Sequence, residues 1–90
     1  MIMKKWAIVF KALANINRLK IVELLSNGRK MNVGDIAAAL KISFTATSNH
    51  LVMLHKLDVL DADGKDGHVF YSLNVSMPQG FSKIIKLFID

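Results

Sequence analysis

The chain has 90 residues, a formal charge of +5 and a pI near 9.8, which describe one small domain suited to an anionic partner. It has no cysteine, which excludes disulfide staples, thiolate metal sites and thiol redox switches, and no window approaches the roughly 20 apolar residues that span a bilayer. Hydrophobic residues make up 52% of the chain, more than a domain this small hides easily, so the excess points to a partner surface, most simply a second copy.

The N-terminus has the outline of an export signal, with Lys4-Lys5 ahead of Trp6–Phe10 and then Ala12-Leu13-Ala14. Lys11 cuts the apolar run to five residues, below the usual length, so the protein is expected to be cytoplasmic. Residues 3–14 form a first predicted helix, with Trp6, Phe10 and Leu13 at i, i+4, i+7 and Ile8 and Val9 extending the apolar girth. A helix so widely apolar is buried on more than one side. Asn15 caps a second predicted helix that runs through Ser26. Leu19, Ile21, Val22, Leu24 and Leu25 supply its core, and Arg18 and Lys20 face outward. Asn27-Gly28 signals a left-handed end, and Arg29-Lys30 follow in a loop.

The stretch from Asn32 to Leu57 organises the rest. Asn32, with Asp35 three residues on, opens a short helix whose Ile36, Ala37 and Leu40 share a face. Lys41-Ile42 makes a tight turn and Ser43 caps the next helix. There Thr47, Leu51, Leu54 and Leu57 point inward, while Phe44, Thr45, Ser48, Asn49 and Val52 point out. This is the layout of a helix-turn-helix, whose second helix enters the DNA major groove. The period then changes. Val59-Leu60 begin a strand, Asp63-Gly64-Lys65-Asp66-Gly67 reads as a turn, and His68–Leu73 returns with Val69, Tyr71 and Leu73 on one face. A hairpin after a recognition helix is a wing. Pro78 fits the first turn of a last helix, with Phe81, Ile84, Ile85 and Phe88 as its stripe and Leu87 and Ile89 widening it. The expected fold is mainly α with a small β-hairpin: a winged helix-turn-helix of about five helices and a two-stranded wing. One domain spans residues 1–90, with the helix-turn-helix at 32–57 and the wing at 59–73.

Charge is unevenly spread. Residues 1–57 hold nine Lys and Arg against Glu23 and Asp35, while residues 58–67 hold Asp58, Asp61, Asp63 and Asp66 against Lys65. Thr45, Ser48 and Asn49 are the candidates for base readout, since Asn bonds adenine in a bidentate manner and Ser or Thr reaches several base edges. Ser43 and Thr47 belong to the same candidate DNA-binding set. Phe44 either meets a thymine methyl or the backbone, or packs locally, and His50 either supports the helix or touches a phosphate. Arg18, Lys20, Arg29, Lys30, Lys41 and Lys56 are candidate phosphate neutralisers. Lys65 and His68 offer the same on the wing, where the neighbouring aspartates oppose approach. His50 and His55, five apart, do not share a helix face as paired ligands do, so no metal is expected. No nucleophile-base spacing, phosphate loop or carboxylate pair indicates catalysis.

The runs FKALANINRLKIVELL (Phe10–Leu25), DIAAALKIS (Asp35–Ser43), TSNHLVML (Thr47–Leu54) and GHVFYSLN (Gly67–Asn74) resemble the arsenic-repressor family of winged-helix regulators. The match covers nearly the whole chain in order. It implies a homodimer built from the first and last helices, here Trp6, Val9, Phe10, Phe81, Ile84, Ile85 and Phe88. It also implies binding to an inverted-repeat operator in double-stranded DNA, and repression. The departures are specific. Family metal sensors carry Cys-x-Cys where this chain has Met31–Asp35, and another family site uses Asp and His on the final helix, where Phe81–Ile89 has neither. Lys41 replaces a common turn glycine, Phe44 a common Gln, Asn49 a common Arg and His68 a common wing Arg. The family fold is therefore expected without metal sensing, cofactor or identified effector, and with altered DNA contacts. The rival reading is a winged-helix module that binds protein instead of DNA.

Overall fold

The computed structural model describes residues 2–74 and Leu87. Helix α1 (Ile2–Leu13) turns Val9, Ala12 and Leu13 into the core and packs Trp6 against it. Asn15 then caps α2 (Ile16–Leu24) as expected, its Oδ1 accepting from the backbone N–H groups of Asn17 at 3.0 Å and Arg18 at 3.2 Å. Such a cap satisfies donors that the first helical turn leaves orphaned. Ile21, Val22 and Leu25 fill the centre, while Leu19, expected in the core, is exposed. The helix also ends two residues short of Ser26, and Gly28 takes the left-handed conformation at φ 75.

Strand β1 (Met31–Asn32) carries no sequence pattern that predicts it. It is two residues long and pairs antiparallel with the second wing strand, Met31 opposite Tyr71 and Asn32 opposite Phe70. Asn32 also caps α3 (Val33–Leu40), its Oδ1 accepting from the Asp35 N–H at 2.8 Å. Lys41 ends α3 in the left-handed region, with its own N–H on the Ala38 carbonyl and the Ile42 N–H on the Ala37 carbonyl. That pair of reversed bonds is a Schellman closure, usually built on glycine. The turn keeps its shape despite the lysine.

Ser43 caps α4 (Phe44–Lys56), its Oγ accepting from the Ala46 N–H at 3.0 Å. Thr47, Leu51 and Leu54 are completely buried along one edge of α4 against Ile21, Val22, Leu25 and Ile36. Each such aliphatic side chain contributes about 1.5–3 kcal/mol by leaving water. Helix α4 closes as α3 does. Asp58 is left-handed at φ 60, with the Asp58 N–H on the His55 carbonyl and the Val59 N–H on the Leu54 carbonyl.

Strand β2 (Leu60–Lys65) and β3 (His68–Leu73) form the hairpin, and the sheet runs β1-β3-β2, antiparallel throughout. The wing is thus part of a three-stranded sheet, not a two-stranded one. Its turn is also shorter than the composition suggested. Asp63, Gly64 and Lys65 are paired in the ladder, and only Asp66 (φ 54) and Gly67 (φ 79) make the reversal. Two successive positive φ values are the geometry of a type I′ turn. Tyr71 anchors β3 in the core, whereas Val69, expected on the same face, is exposed near the hairpin turn. Four helices stand among the described residues. The expected last helix, with Phe81, Ile84, Ile85 and Phe88, lies outside them.

Candidate nucleic-acid interface

The outer face of α4 is set by its inner one. Burying Thr47, Leu51 and Leu54 at i, i+4, i+7 turns Thr45, Ser48, Asn49, Val52 and Lys56 to the opposite side. Thr45, Asn49, Val52 and Lys56 are exposed, Ser48 is half-buried, and Phe44 is 61% exposed at the helix entrance. No acidic side chain stands on α4, and His55 and Lys56 close its last turn. The result is a short row of neutral donors and acceptors with apolar contacts at its margin. That is the chemistry of base edges and thymine methyls.

Three members of the proposed DNA-contacting set are engaged elsewhere. Thr47 has no exposed surface, and its hydroxyl donates to the Ser43 carbonyl at 2.8 Å. It faces the core and is not a surface contact. The Ser43 hydroxyl is occupied as the cap of α4. His50 is half-buried on the flank of α4, its Nδ1 accepting from Arg18 Nε at 3.2 Å. Arg18, read from the sequence as an outward cation, turns inward instead, and its Nη1 also donates to the Ala12 carbonyl at 3.0 Å. Burial first, and then the Arg18 guanidinium, hold the His50 imidazole below its ordinary value of 6.5. The 32-residue separation of this pair explains why sequence spacing did not reveal it.

Lys20, Arg29 and Lys41 converge on an open groove of about 480 Å³ between α2 and α3, with Glu23 as the acid in its lining. Lys41, in this basic shoulder, stands two residues before the Ser43 cap of α4. On the other side the wing brings Lys65 and His68 opposite each other next to the turn, close in sequence to Asp63 and Asp66. Lys30 stands 3.9 Å from Asp63, and Lys5 stands 3.3 Å from Asp58, both pairs well exposed. Exposed pairs of this kind add little stability, but the Lys30–Asp63 pair offsets part of the wing's acidity. The His55 ring meets Tyr71 edge-on at 6.5 Å, while His50 is engaged by Arg18. Among the described residues no group of three potential ligands is placed to hold a metal ion.

Of the residues assigned to a dimer surface, Phe10 is 48% exposed, and Trp6 is half-buried with its ring 5.7 Å from that of Phe10. Val9 is only 5% exposed and belongs to the subunit's own core, so it is not free for a partner. Met3, which the assignment lacked, is 84% exposed and precedes Phe10 by seven residues on the same stripe. Leu87 is exposed too. No helix among the described residues is long and apolar enough to cross a membrane.

Comparison with known proteins gives a consistent result. The profile described as "Bacterial regulatory protein, arsR family" matches residues 15–62, from the cap of α2 into β2. The transcriptional repressor SdpR of Bacillus subtilis is 39% identical over 71 residues, covering 79% of this chain and 78% of that protein. The crystal structure of the transcriptional repressor PagR of Bacillus anthracis superposes with a TM-score of 0.83 at 31% identity, covering 98% of this chain and 97% of the other. The solution structure of Mb0332 from Mycobacterium bovis is described as a homodimeric winged helix-turn-helix DNA-binding domain. It gives 0.82 at 26% identity over 97% of this chain and 77% of the other.

Proposed function

The chain belongs to the arsR family of bacterial regulatory proteins, and from that premise we propose a homodimeric repressor that binds an inverted-repeat operator without sensing metal. Its class is that of a DNA-binding transcriptional regulator of winged helix-turn-helix type, not an enzyme. One observation carries the finer reading. The outward face of α4 presents Thr45, Ser48 and Asn49 as an uncharged polar row, on a helix whose position is fixed by a cap at one end and a buried edge along its length.

In this mechanism Thr45, Ser48 and Asn49 read base edges, with Phe44 and Val52 against thymine methyls. Lys41, Lys56 and the Lys20–Arg29 shoulder hold phosphates. Lys65 and His68 contribute less, because the wing aspartates repel the backbone. The exposed Met3–Phe10 stripe of α1 supports pairing with a second copy, which sets the two reading helices about 34 Å apart, one turn of duplex. Repression follows from occlusion of polymerase at the operator, in the cytoplasm. The sequence holds no cysteine for the thiolate pair of family metal sensors, and its final stretch, Phe81–Ile89, lacks their Asp and His.

The test is selection from random duplexes over a salt series, with wild type and a Ser48→Ala/Asn49→Ala double variant side by side. The expected result is an enriched inverted repeat whose binding weakens steeply with salt. The double variant should lose about thirtyfold or more of the specific affinity, since each of the two base contacts carries about 1–3 kcal/mol. Weak, unselective binding that the variant leaves unchanged would sink this reading and favour a protein-binding module.

A further inference from the structure

We propose that Arg18 and His50 form a clasp that fixes the recognition helix, Arg18 acting as a positioning residue through His50 and neither side chain serving as a phosphate contact. The inference rests on the reading that α4 meets DNA.

The geometry is that of a single guanidinium joining three helices. Arg18 stands in the first turn of α2. Its Nη1 donates to the carbonyl of Ala12, in the last turn of α1, where carbonyls lack intrahelical partners. Its Nε donates to Nδ1 of His50 on α4. The guanidinium is planar and its donors diverge at fixed angles, so both bonds are held at once, which a lysine ammonium on a flexible stem does not reproduce. The buried edge of α4 is largely apolar, and apolar contact is non-directional. It fixes the depth of the helix better than its rotation. A directional bond on the flank of α4 fixes the rotation, and His50 directly follows Asn49 in the chain. Rotating α4 would move Thr45, Ser48 and Asn49 together relative to base edges. The same clasp ties α4 to α1, the helix bearing the exposed Met3–Phe10 stripe.

The bond also dictates a protonation state. Nδ1 accepts only when unprotonated, so the ring proton sits on Nε2. No buried polar side-chain atom among the described residues lacks a partner, so Nε2 is left with access to water. A second proton would remove the acceptor and set two cations 3.2 Å apart. Arg18 of α2 is the charged group that acts on the ring. From α1, which carries Lys4, Lys5 and Lys11, the clasp takes the Ala12 carbonyl, and the α4 neighbours one turn away, Ala46, Thr47, Met53 and Leu54, carry no charge. Lys20 and Glu23 accompany Arg18 on α2, and Asp35 of α3 and Asp61, Asp63 and Lys65 of β2 are the charged groups of the other elements packed on α4; burial and Arg18 are what lower the ring's pKa. With its folded pKa depressed below 6.5, His50 favours folding fully above that value, and the contribution is lost as pH falls through the folded pKa. The clasp is therefore closed at neutral pH and opens in acid.

The experiment measures duplex affinity for wild type, Arg18→Ala, His50→Ala, their double variant, Arg18→Lys and His50→Asn. Salt series are run at pH 7.5, and wild type and His50→Asn are compared down to pH 5.5, with circular dichroism on each variant. Asn is the conservative variant, because its side-chain oxygen replaces Nδ1 as an acceptor that does not titrate. Arg18→Ala and His50→Ala should each lose about tenfold, the scale of one charge-assisted hydrogen bond. The double variant should bind no more weakly than either single one. The salt slope should stay at the wild-type value, Arg18→Lys should fail to rescue, and His50→Asn should retain most of the affinity. On acidification wild type should weaken relative to His50→Asn, although added positive charge alone would tighten binding.

Additive losses, with the salt slope shallower by about 1.8 for the two arginines removed per dimer, would overturn the clasp and make Arg18 a direct phosphate ligand. Single variants that bind like wild type would overturn it as well. Wild type that binds no duplex would instead overturn the DNA reading on which the inference stands. If an alanine variant does not fold, the pH comparison of wild type with His50→Asn decides, and parallel profiles overturn the proposal.

Discussion

Lys41 occupies the left-handed region at φ 58 and ψ 42, where a β-carbon crowds the following carbonyl at a cost of about 1–2 kcal/mol. It stays there because two reversed hydrogen bonds and the packing of α3 against α4 overdetermine the turn. Glycine would relieve the crowding but would free the unfolded chain, so part of the gain cancels. Lys41→Gly should therefore stabilise the fold by about 0.5–1 kcal/mol, read as a higher urea midpoint with unchanged m-value. The same change removes a cation from the basic shoulder. If Lys41 meets a phosphate, the variant should bind duplex more weakly and with a salt slope reduced by about 1.8, for two contacts per dimer. Greater stability with weaker binding is the signature of a residue kept for its charge at a conformational cost. An unchanged slope would remove Lys41 from the interface.

Among the elements, those fixed by local chemistry were legible in the sequence and those fixed at a distance were not. Asn15, Asn32 and Ser43 cap helices through bonds that span two or three residues, so the residue types announce them. The inner row Thr47, Leu51, Leu54 follows from period alone. Strand β1 has no such signal, because two residues show no alternation and its partner is β3, about forty residues along the chain. The Arg18–His50 pair is invisible for the same reason, and the arginine looked like one more surface cation. Composition overstates the hairpin turn, because Asp63 and Gly64 have turn-like residue types while lying in the ladder. Asp66 is the first residue of the type I′ reversal, a position that Asn fills at least as well. Asp66→Asn should leave the hairpin folded while removing one anion from the wing. Duplex affinity should then rise by about two- to fivefold at low salt, the scale of an exposed charge interaction, and converge with wild type as screening grows. No change at low salt would mean that the wing stays clear of the duplex.

At the scale of the molecule, the apolar excess noted in the sequence divides in two. One part fills a core shared by all four described helices and the sheet, and Val9 belongs to it. The other part stays on the surface of α1, where Met3 and Phe10 stand exposed with Trp6 half-buried beside them. Left in water, Met3 and Phe10 forgo most of the stabilisation that burial of large apolar side chains provides. A second copy brought up by a two-fold axis would cover the same stripe on both subunits, which is how an isologous interface is made. Phe10→Glu tests this without touching the core, because Phe10 does not belong to the buried cluster. The variant should keep its circular dichroism and thermal transition near those of wild type. In sedimentation it should shift from dimer toward monomer, because a carboxylate buried against its own symmetry mate has no counter-ion. Operator binding should fall with it and recover only at higher protein concentration, since two tethered reading helices bind far more tightly than one. A variant that remains dimeric would place the interface elsewhere. A monomeric wild type with full operator affinity would show that one recognition helix suffices, and the inverted repeat would lose its reason.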